Sequence, residues 1–284
     1  MSTHAKPVPA ADCRSEYDTL RHVLLCPPRF MEIRDVINDV QKQYKDENID
    51  VTKALRQHDN FVEALAEEGV ETTFLEASEE YPEQVFTRDI GFTIGDTVFI
   101  SEMAADVRQG EEQVLQQWLE EQGIRFKHMP GHRIEGGDVL VDRDTVYIGI
   151  SSRTSEKAIE EFQRQMPGFR VVPLQLNEKY LHLDCVFNIL SPTEALIFPE
   201  ALEQASIDML SERYTLISVE SDEQFKLGTN VLSIGDRRIV SQPQNTKVNQ
   251  QLRDRGFRVI ETDFSEIIKS GGAFRCCTMP IARG

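Results

Sequence analysis

The sequence has no apolar run approaching the roughly 20 residues that a membrane-spanning helix needs. Its first residues, MSTHAKPVPAAD, are polar and contain proline, without the apolar centre of a secretory leader. A cytoplasmic protein is expected. Basic residues are few, 31 Lys and Arg against 48 Asp and Glu, for a net charge of −17. Such a balance repels phosphate backbones, and no Lys/Arg run overrides it, which argues against nucleic acid and membranes as partners. A small cationic partner fits the charge better. Cysteine is scarce and odd in number, at Cys13, Cys26, Cys185, Cys276 and Cys277. These positions lack the spacing of a disulfide framework, and no CxxC pair suggests a metal site. A Gly/Ser/Pro-rich linker is also missing. A loose segment at 1–12 followed by a single domain at 13–284 is therefore expected. A homo-oligomer is compatible with all of this.

What is present is a globular composition, 40% apolar and 28% charged, and a repeat. An amphipathic helix ending at glycine, then a short strand of branched or aromatic residues, recurs as EALAEEGVETTFLE, QWLEEQGIRFKHMP, EFQRQMPGFRVVPL and QLRDRGFRVIETD. A fifth copy, MLSERYTLISVE, carries Tyr214 where the others have Gly69, Gly123, Gly168 and Gly256. Glycine suits these ends because a helix commonly stops on a left-handed residue. The apolar helix faces are Leu55, Phe61, Val62 and Leu65; then Val114, Leu115, Trp118 and Leu119; then Ala158, Ile159 and Phe162. Hairpin-like pairs precede the later helices: GFTIGDTVFIS, DVLVDRDTVYIGI, CVFNILSPTEALIF and NVLSIGDRRIVSQ. LRHVLLCPP, near Leu20, starts the first unit, with a helical insertion expected near Met31–Asp46. Five units of strand, strand, helix, strand about an axis predict a five-bladed, pseudo-symmetric α/β propeller.

Polar residues gather at one recurring place, between the last strand of one unit and the first strand of the next. These are Phe86-Thr87-Arg88-Asp89, Glu135-Gly136-Gly137-Asp138, His182-Leu183-Asp184-Cys185 and Gly271-Gly272-Ala273-Phe274-Arg275-Cys276-Cys277. Taken singly, each has a plain reading: a solvated turn, a structural histidine, inert buried thiols, a surface Arg88–Asp89 pair. In a closed ring, however, the four loops share one end and converge near the axis. That convergence marks the site.

In this order, FTRD, EGGD, HLD and GGAFRCCTMP resemble the guanidine-modifying enzyme (pentein) superfamily. It comprises arginine deiminases, dimethylarginine dimethylaminohydrolases and amidinotransferases, and the likeness runs from about Tyr17 to Arg283. The resemblance implies Cys276 as nucleophile and His182 as general acid/base, with Glu135, Asp89 and Asp184 as carboxylates around a guanidinium. It implies Arg153, and more loosely Arg108, as partners of a substrate α-carboxylate. Glu83 stands where relatives usually carry Asp or Asn, within reach of a substrate amino group, and Phe86 joins it as a substrate-binding residue. The pair Cys276-Cys277, read as an extended segment, would turn only one thiol to the axis.

The implied chemistry needs no metal or organic cofactor. Carboxylates fix the guanidinium plane by charge-assisted hydrogen bonds, and a Cys276 thiolate attacks the central carbon. His182 protonates the leaving ammonia or amine, then activates water against the covalent thiouronium, releasing a ureido product such as citrulline. Length and motif pull apart: the chain lacks room for the helical domain of arginine deiminases, as dimethylarginine hydrolases do, yet Asp184 follows His182 as in deiminases and amidinotransferases. An amidinotransferase, sharing the intermediate but passing it to an amine, and a non-catalytic arginine-binding protein are the alternatives. A papain-like protease is disfavoured by the order of His before Cys.

Overall fold

The computed structural model describes residues 8–128, 131 and 133–284. The β-branched runs form five three-stranded sheets. The first holds β1 (Leu20–Leu25) and β2 (Glu71–Phe74); the second β3 (Gly91–Ile94), β4 (Thr97–Ile100) and β5 (Phe126–His128). The third holds β6 (Val139–Asp142), β7 (Thr145–Ile150) and β8 (Arg170–Gln175), and the fourth β9 (Phe187–Ser191), β10 (Glu194–Ile197) and β11 (Thr215–Ser218). The fifth is β12 (Leu232–Gly235), β13 (Arg238–Ser241) and β14 (Arg258–Glu261), after which β15 (Met279–Arg283) returns to the first sheet. In each of the last four sheets an antiparallel hairpin is followed by a crossover and a third strand parallel to the middle one. The architecture is the five-bladed α/β propeller.

The first blade departs from the expected unit. β1 has no hairpin partner before it in the chain; β15 pairs with it antiparallel, while β2 pairs with it parallel. The end of the chain thus supplies the missing strand and closes the ring, which removes an exposed sheet edge. The Asp12 amide donates to the Ile281 carbonyl at 2.9 Å, and the Arg283 amide donates back to the Asp12 carbonyl at 2.7 Å. Residues 1–7 of the expected loose segment lie outside the described residues.

The helices begin with α1 (Asp39–Tyr44), which precedes the first long crossover helix, α2 (Val51–Glu67). They continue as α3 (Glu111–Gln122), α4 (Glu156–Gln165), α5 (Gln204–Ser211), the single turn α6 (Ser221–Gln224) and α7 (Thr246–Asp254). Phe61, Leu65, Leu115, Trp118, Leu119, Ala158, Ile159 and Phe162 are buried, while Leu55, Val62 and Val114 are half-buried. Each full burial contributes about 1.5–3 kcal/mol for the larger side chains. Gly69, Gly123 and Gly256 adopt the left-handed conformation at their helix ends. Gly168 does not, because α4 has already stopped at Met166, the residue before Pro167.

The helix expected near Met31–Asp46 shrinks to α1. Upstream of it, side chains take over the backbone donors: Asn48 Oδ1 accepts from the Ile33 amide at 2.9 Å, and Gln41 Oε1 from the Ile37 amide at 2.8 Å. Such bonds compete with a helix. Among the described residues no helix is long and apolar enough to cross a membrane.

Candidate active site

Five loops, each leading into the first strand of a blade, meet at one end of the axis. Glu135 precedes a 3-10 turn at Gly136–Asp138 before β6, and His182 precedes another at Leu183–Cys185 before β9. Asp89 precedes β3, Asn230 precedes β12, and Cys276 precedes β15. The loops pack at backbone distance. A Cβ added to Gly137 would lie 2.7 Å from His182 Cγ and 2.8 Å from Asp89 Oδ1, so the glycines of EGGD serve close approach.

His182 is fully enclosed. Its Nε2 lies 2.7 Å from Glu135 Oε2, and its Nδ1 is 3.6 Å from Asp89 Oδ1. Burial alone would lower the imidazole pKa. The Asp89 charge and the Glu135 hydrogen bond outweigh it and raise the group to about 10, so His182 is an imidazolium at neutral pH. Glu135 has little capacity left, because its Oε1 accepts from the Ala104 amide at 2.9 Å and lies 4.0 Å from Arg153 Nη1. Asp89 Oδ2 pairs with Arg108 Nη1 at 2.6 Å, while its Oδ1 is buried without a hydrogen-bond partner.

Cys276 Sγ lies 3.6 Å from Asp184 Oδ2. That carboxylate is itself held by Arg275 Nη1 at 2.8 Å, and Arg275 Nη2 reaches Glu16 at 3.1 Å. Glu16, buried but surrounded by Arg275, Arg88 and Arg283, is held down at about 2. The cysteine segment is not extended, contrary to the sequence reading. The Cys277 amide donates to the Ala273 carbonyl at 2.9 Å and the Thr278 amide to the Arg275 carbonyl at 3.1 Å, which makes a compact turn. Of the two thiols only Cys276 lines the central cavity.

That cavity is narrow, with about 10 Å³ open to a water-sized molecule. Cys276, His182, Asp89, Arg108, Glu83 and Phe86 line it, together with Ile37, Asn38, Leu181, Ser270, Gly271 and Gly272. Glu135 stands behind His182 and Asp184 behind Cys276. Arg153 does not line it, but its Nη2 donates to the carbonyl of the lining residue Ile37 at 2.9 Å. Arg108 is heavily engaged: Nε and Nη2 bond Glu111, Nη2 also the Phe86 carbonyl, and Nη1 Asp89. Of its five donors one on Nη1 stays uncommitted. Glu83 accepts from Gln41 Nε2 at 2.7 Å and from Ser270 at 2.9 Å, and burial pushes it up to about 7.

Several site neighbours were not singled out from the sequence. Asn230 Oδ1 accepts from the Cys276 amide at 3.1 Å, and its Nδ2 donates to the Asp184 carbonyl at 3.2 Å. Its repeat position, the loop before a blade's first strand, was the available signal. Glu111, which burial raises to about 7, and Glu16 carry no motif. Arg88 makes no surface pair with Asp89; it is buried, and its amide donates to the Cys276 carbonyl at 3.0 Å. Two donor groups lie close enough to share a metal ion, Asp89 with Glu135 and His182, and Asp184 with Cys185 and Cys276.

The family model described as eukaryotic N,N dimethylarginine dimethylhydrolase matches residues 27–283. This chain belongs to the N,N-dimethylarginine dimethylhydrolase family. Within the wider pentein group, it is 55% identical over 272 residues to uncharacterized protein YkgA of Bacillus subtilis, covering 96% of this chain and 95% of that one. It is 28% identical over 267 residues to the N(G),N(G)-dimethylarginine dimethylaminohydrolase of Mycobacterium tuberculosis, covering 92% and 86%. The bifunctional arginine dihydrolase/ornithine cyclodeaminase ArgZ of Synechocystis is 29% identical over 272 residues, but the chain spans only 37% of its length. The solved N-terminal domain of ArgZ with product bound superposes with a TM-score of 0.86 at 26% identity, covering 94% of this chain and 98% of that domain. An amidinotransferase of Microseira wollei, SxtG, shares the fold at a TM-score of 0.83 and 17% identity.

Proposed function

We propose that this chain hydrolyses the guanidinium group of arginine or an N-substituted arginine, giving citrulline or a related ureido product plus ammonia or amine. The observation that carries the reading is one small cavity lined by Cys276, the His182 imidazolium and Asp89, whose buried Oδ1 accepts no hydrogen bond. That oxygen, 3.6 Å from His182 Nδ1, has capacity left for a cationic N–H donor. Residues 13–284 act as one catalytic domain in this reading, without a cofactor, in the cytoplasm.

A guanidinium N–H docks on Asp89 Oδ1, which turns the central carbon toward Cys276. The substrate's positive charge and the imidazolium favour the thiolate that attacks it. His182 then donates a proton to the departing nitrogen. A water entering the vacated side gives its proton to the now neutral imidazole and attacks the thiouronium carbon, and the C–S bond breaks. Glu135 keeps the ring oriented and charged. Asp184, held by Arg275, lies beside the nucleophile outside the cavity lining, and in this reading the terminal nitrogens reach it past Cys276. Arg153 exchanges the Ile37 carbonyl for a substrate α-carboxylate.

The relatives named for arginine dihydrolase and dimethylargininase activity support a hydrolase. The likeness to SxtG, at its identity, supports only the fold, so amidino transfer is the second reading. Incubation with arginine, methylarginines, agmatine and other guanidino compounds, with detection of ureido product and released amine, tests the proposal. Amidino transfer to glycine without ureido product would favour the transferase, and arginine binding without turnover would favour a non-catalytic protein.

A further inference from the structure

Beside the nucleophile stands a second thiol for which the chemistry above has no use. Cys185 ends the 3-10 turn Leu183–Cys185 and is buried. Its Sγ is 3.6 Å from Asp184 Oδ1, and Cys276 Sγ is 3.9 Å from the same oxygen. The donor atoms of Asp184, Cys185 and Cys276 all lie within 4.8 Å of one another, so the two sulfurs are neighbours although 91 positions separate them in the chain. The two thiols differ in access: Cys276 lines the cavity and Cys185 does not.

We propose that Cys276 and Cys185 form a reversible disulfide driven by a small hydroperoxide, with Cys276 oxidised first and Cys185 resolving it. Cys276, which lines the cavity where Cys185 does not, is the thiol that a small neutral oxidant entering from that side would meet. The Cys276 thiolate attacks one peroxide oxygen; the O–O bond breaks, an S–O bond forms, and the departing hydroxide takes a proton to leave as water. Sulfur loses two electrons and the peroxide gains them. The Cys185 sulfur then attacks the sulfenic sulfur, the S–S bond forms, the S–O bond breaks, and the Cys185 proton leaves with the hydroxyl as a second water. An external dithiol reverses the bond by exchange. Hydrogen bonding to Cys276, burial and the Asp184 charge hold the Cys185 thiol well above its usual range. It is therefore a poor sensor by itself, and its proximity to Cys276 supplies the rate. The disulfide would remove the nucleophile from turnover while sparing it sulfinic and sulfonic oxidation, which dithiols do not reverse.

The test is intact-protein and peptide mass spectrometry of the full chain treated with hydrogen peroxide. The expected product is about 2 Da lighter, with a Cys185–Cys276 link in a non-reducing digest, and returns to the starting mass with dithiothreitol. Cys185→Ser, and Cys185→Ala should the first variant misfold, should instead gain about 32 or 48 Da at Cys276, with no lighter species. Direct passage of the unaltered protein to those heavier forms, or a link from Cys276 to Cys277 or Cys26, overturns the proposal. The readout needs no substrate, so it stands or falls separately from the guanidinium reading.

Discussion

His182 Nε2 and Glu135 Oε2, contributed by the loops of two neighbouring blades, face each other at 2.7 Å with both side chains almost wholly removed from solvent. The imidazolium is held up to about 10 against the burial that opposes it. Since this pKa is raised above its unfolded value, the associated stability is fully present below about pH 6.5 and is lost as pH rises toward 10. Glu135→Gln keeps the shape but removes a charge. Its His182 should titrate lower, which moves the alkaline limb of the pH–rate profile down by about one unit or more. His182→Ala should cost on the order of 10²-fold or more in turnover. An unshifted limb in Glu135→Gln would detach Glu135 from the acid.

The two adjacent thiols should behave differently. Cys276→Ser is expected to abolish turnover, because only Cys276 lines the cavity. Cys277 is fully buried with its thiol pushed well above the usual range, so Cys277→Ser should keep most of the activity. Alkylation with iodoacetamide, mapped by peptide mass, should mark Cys276 first.

Glu83 offers a test in stability. Its folded pKa, raised to about 7 by burial, exceeds the ordinary carboxylate value of 4.5. The folded state therefore keeps a proton through this window that the unfolded state releases, and stability falls as pH rises from 4.5 to 7. Glu83→Gln, neutral throughout, should be the more stable protein at pH 8 by about 1–3 kcal/mol relative to its standing at pH 4. Urea denaturation at the two pH values measures the difference; equal pH dependence in both proteins would place the Glu83 proton elsewhere.

The ring and the convergence of its loops were readable because the helix–Gly–strand phrase and the position of FTRD, EGGD, HLD and GGAFRCC are local patterns. What joins distant pieces was not. β15 completing the first blade follows from ring closure, which a linear repeat does not display. Arg108 enters the sequence reading only as a loose match to a substrate carboxylate partner, because its partners Asp89 and Glu111 are assembled only by the fold. The Cys276 turn was read as extended since alternation gives no sign of a single helical turn. Glu16, from the N-terminal segment, reaches Arg275 under the axis with no motif to announce it.

Arg153 should discriminate by the α-carboxylate. Agmatine, which keeps the guanidinium and lacks that group, leaves Arg153 on the Ile37 carbonyl. Losing a buried charge partner costs at least about 2 kcal/mol, or roughly 30-fold in the specificity constant relative to arginine. Arg153→Ala should erase most of this preference. Equal constants for the two substrates in the unaltered protein would refute the role.

The methyl groups are where the motif and the family model point in different directions. The matching family is named for dimethylarginine, yet Asp184 lies 3.6 Å from the Cys276 sulfur and Arg275 pins it there at 2.8 Å. A carboxylate so fixed cannot turn away from an arriving substituent. An unsubstituted nitrogen offers it N–H donors, and the charge-assisted bond strengthens as Cys276 attacks. Two N-methyl groups remove both donors and press carbon against a desolvated acid, a penalty of about 1–3 kcal/mol. That converts to roughly ten- to a hundredfold, so arginine or a singly substituted form should be preferred over asymmetric dimethylarginine. Asp184→Ser should narrow the gap, chiefly by damaging turnover of the unmethylated substrate. Specificity constants for the two compounds in both proteins decide the matter: a higher value for asymmetric dimethylarginine in the unaltered enzyme would mean that Asp184 faces Arg275 and the thiol but never the guanidinium.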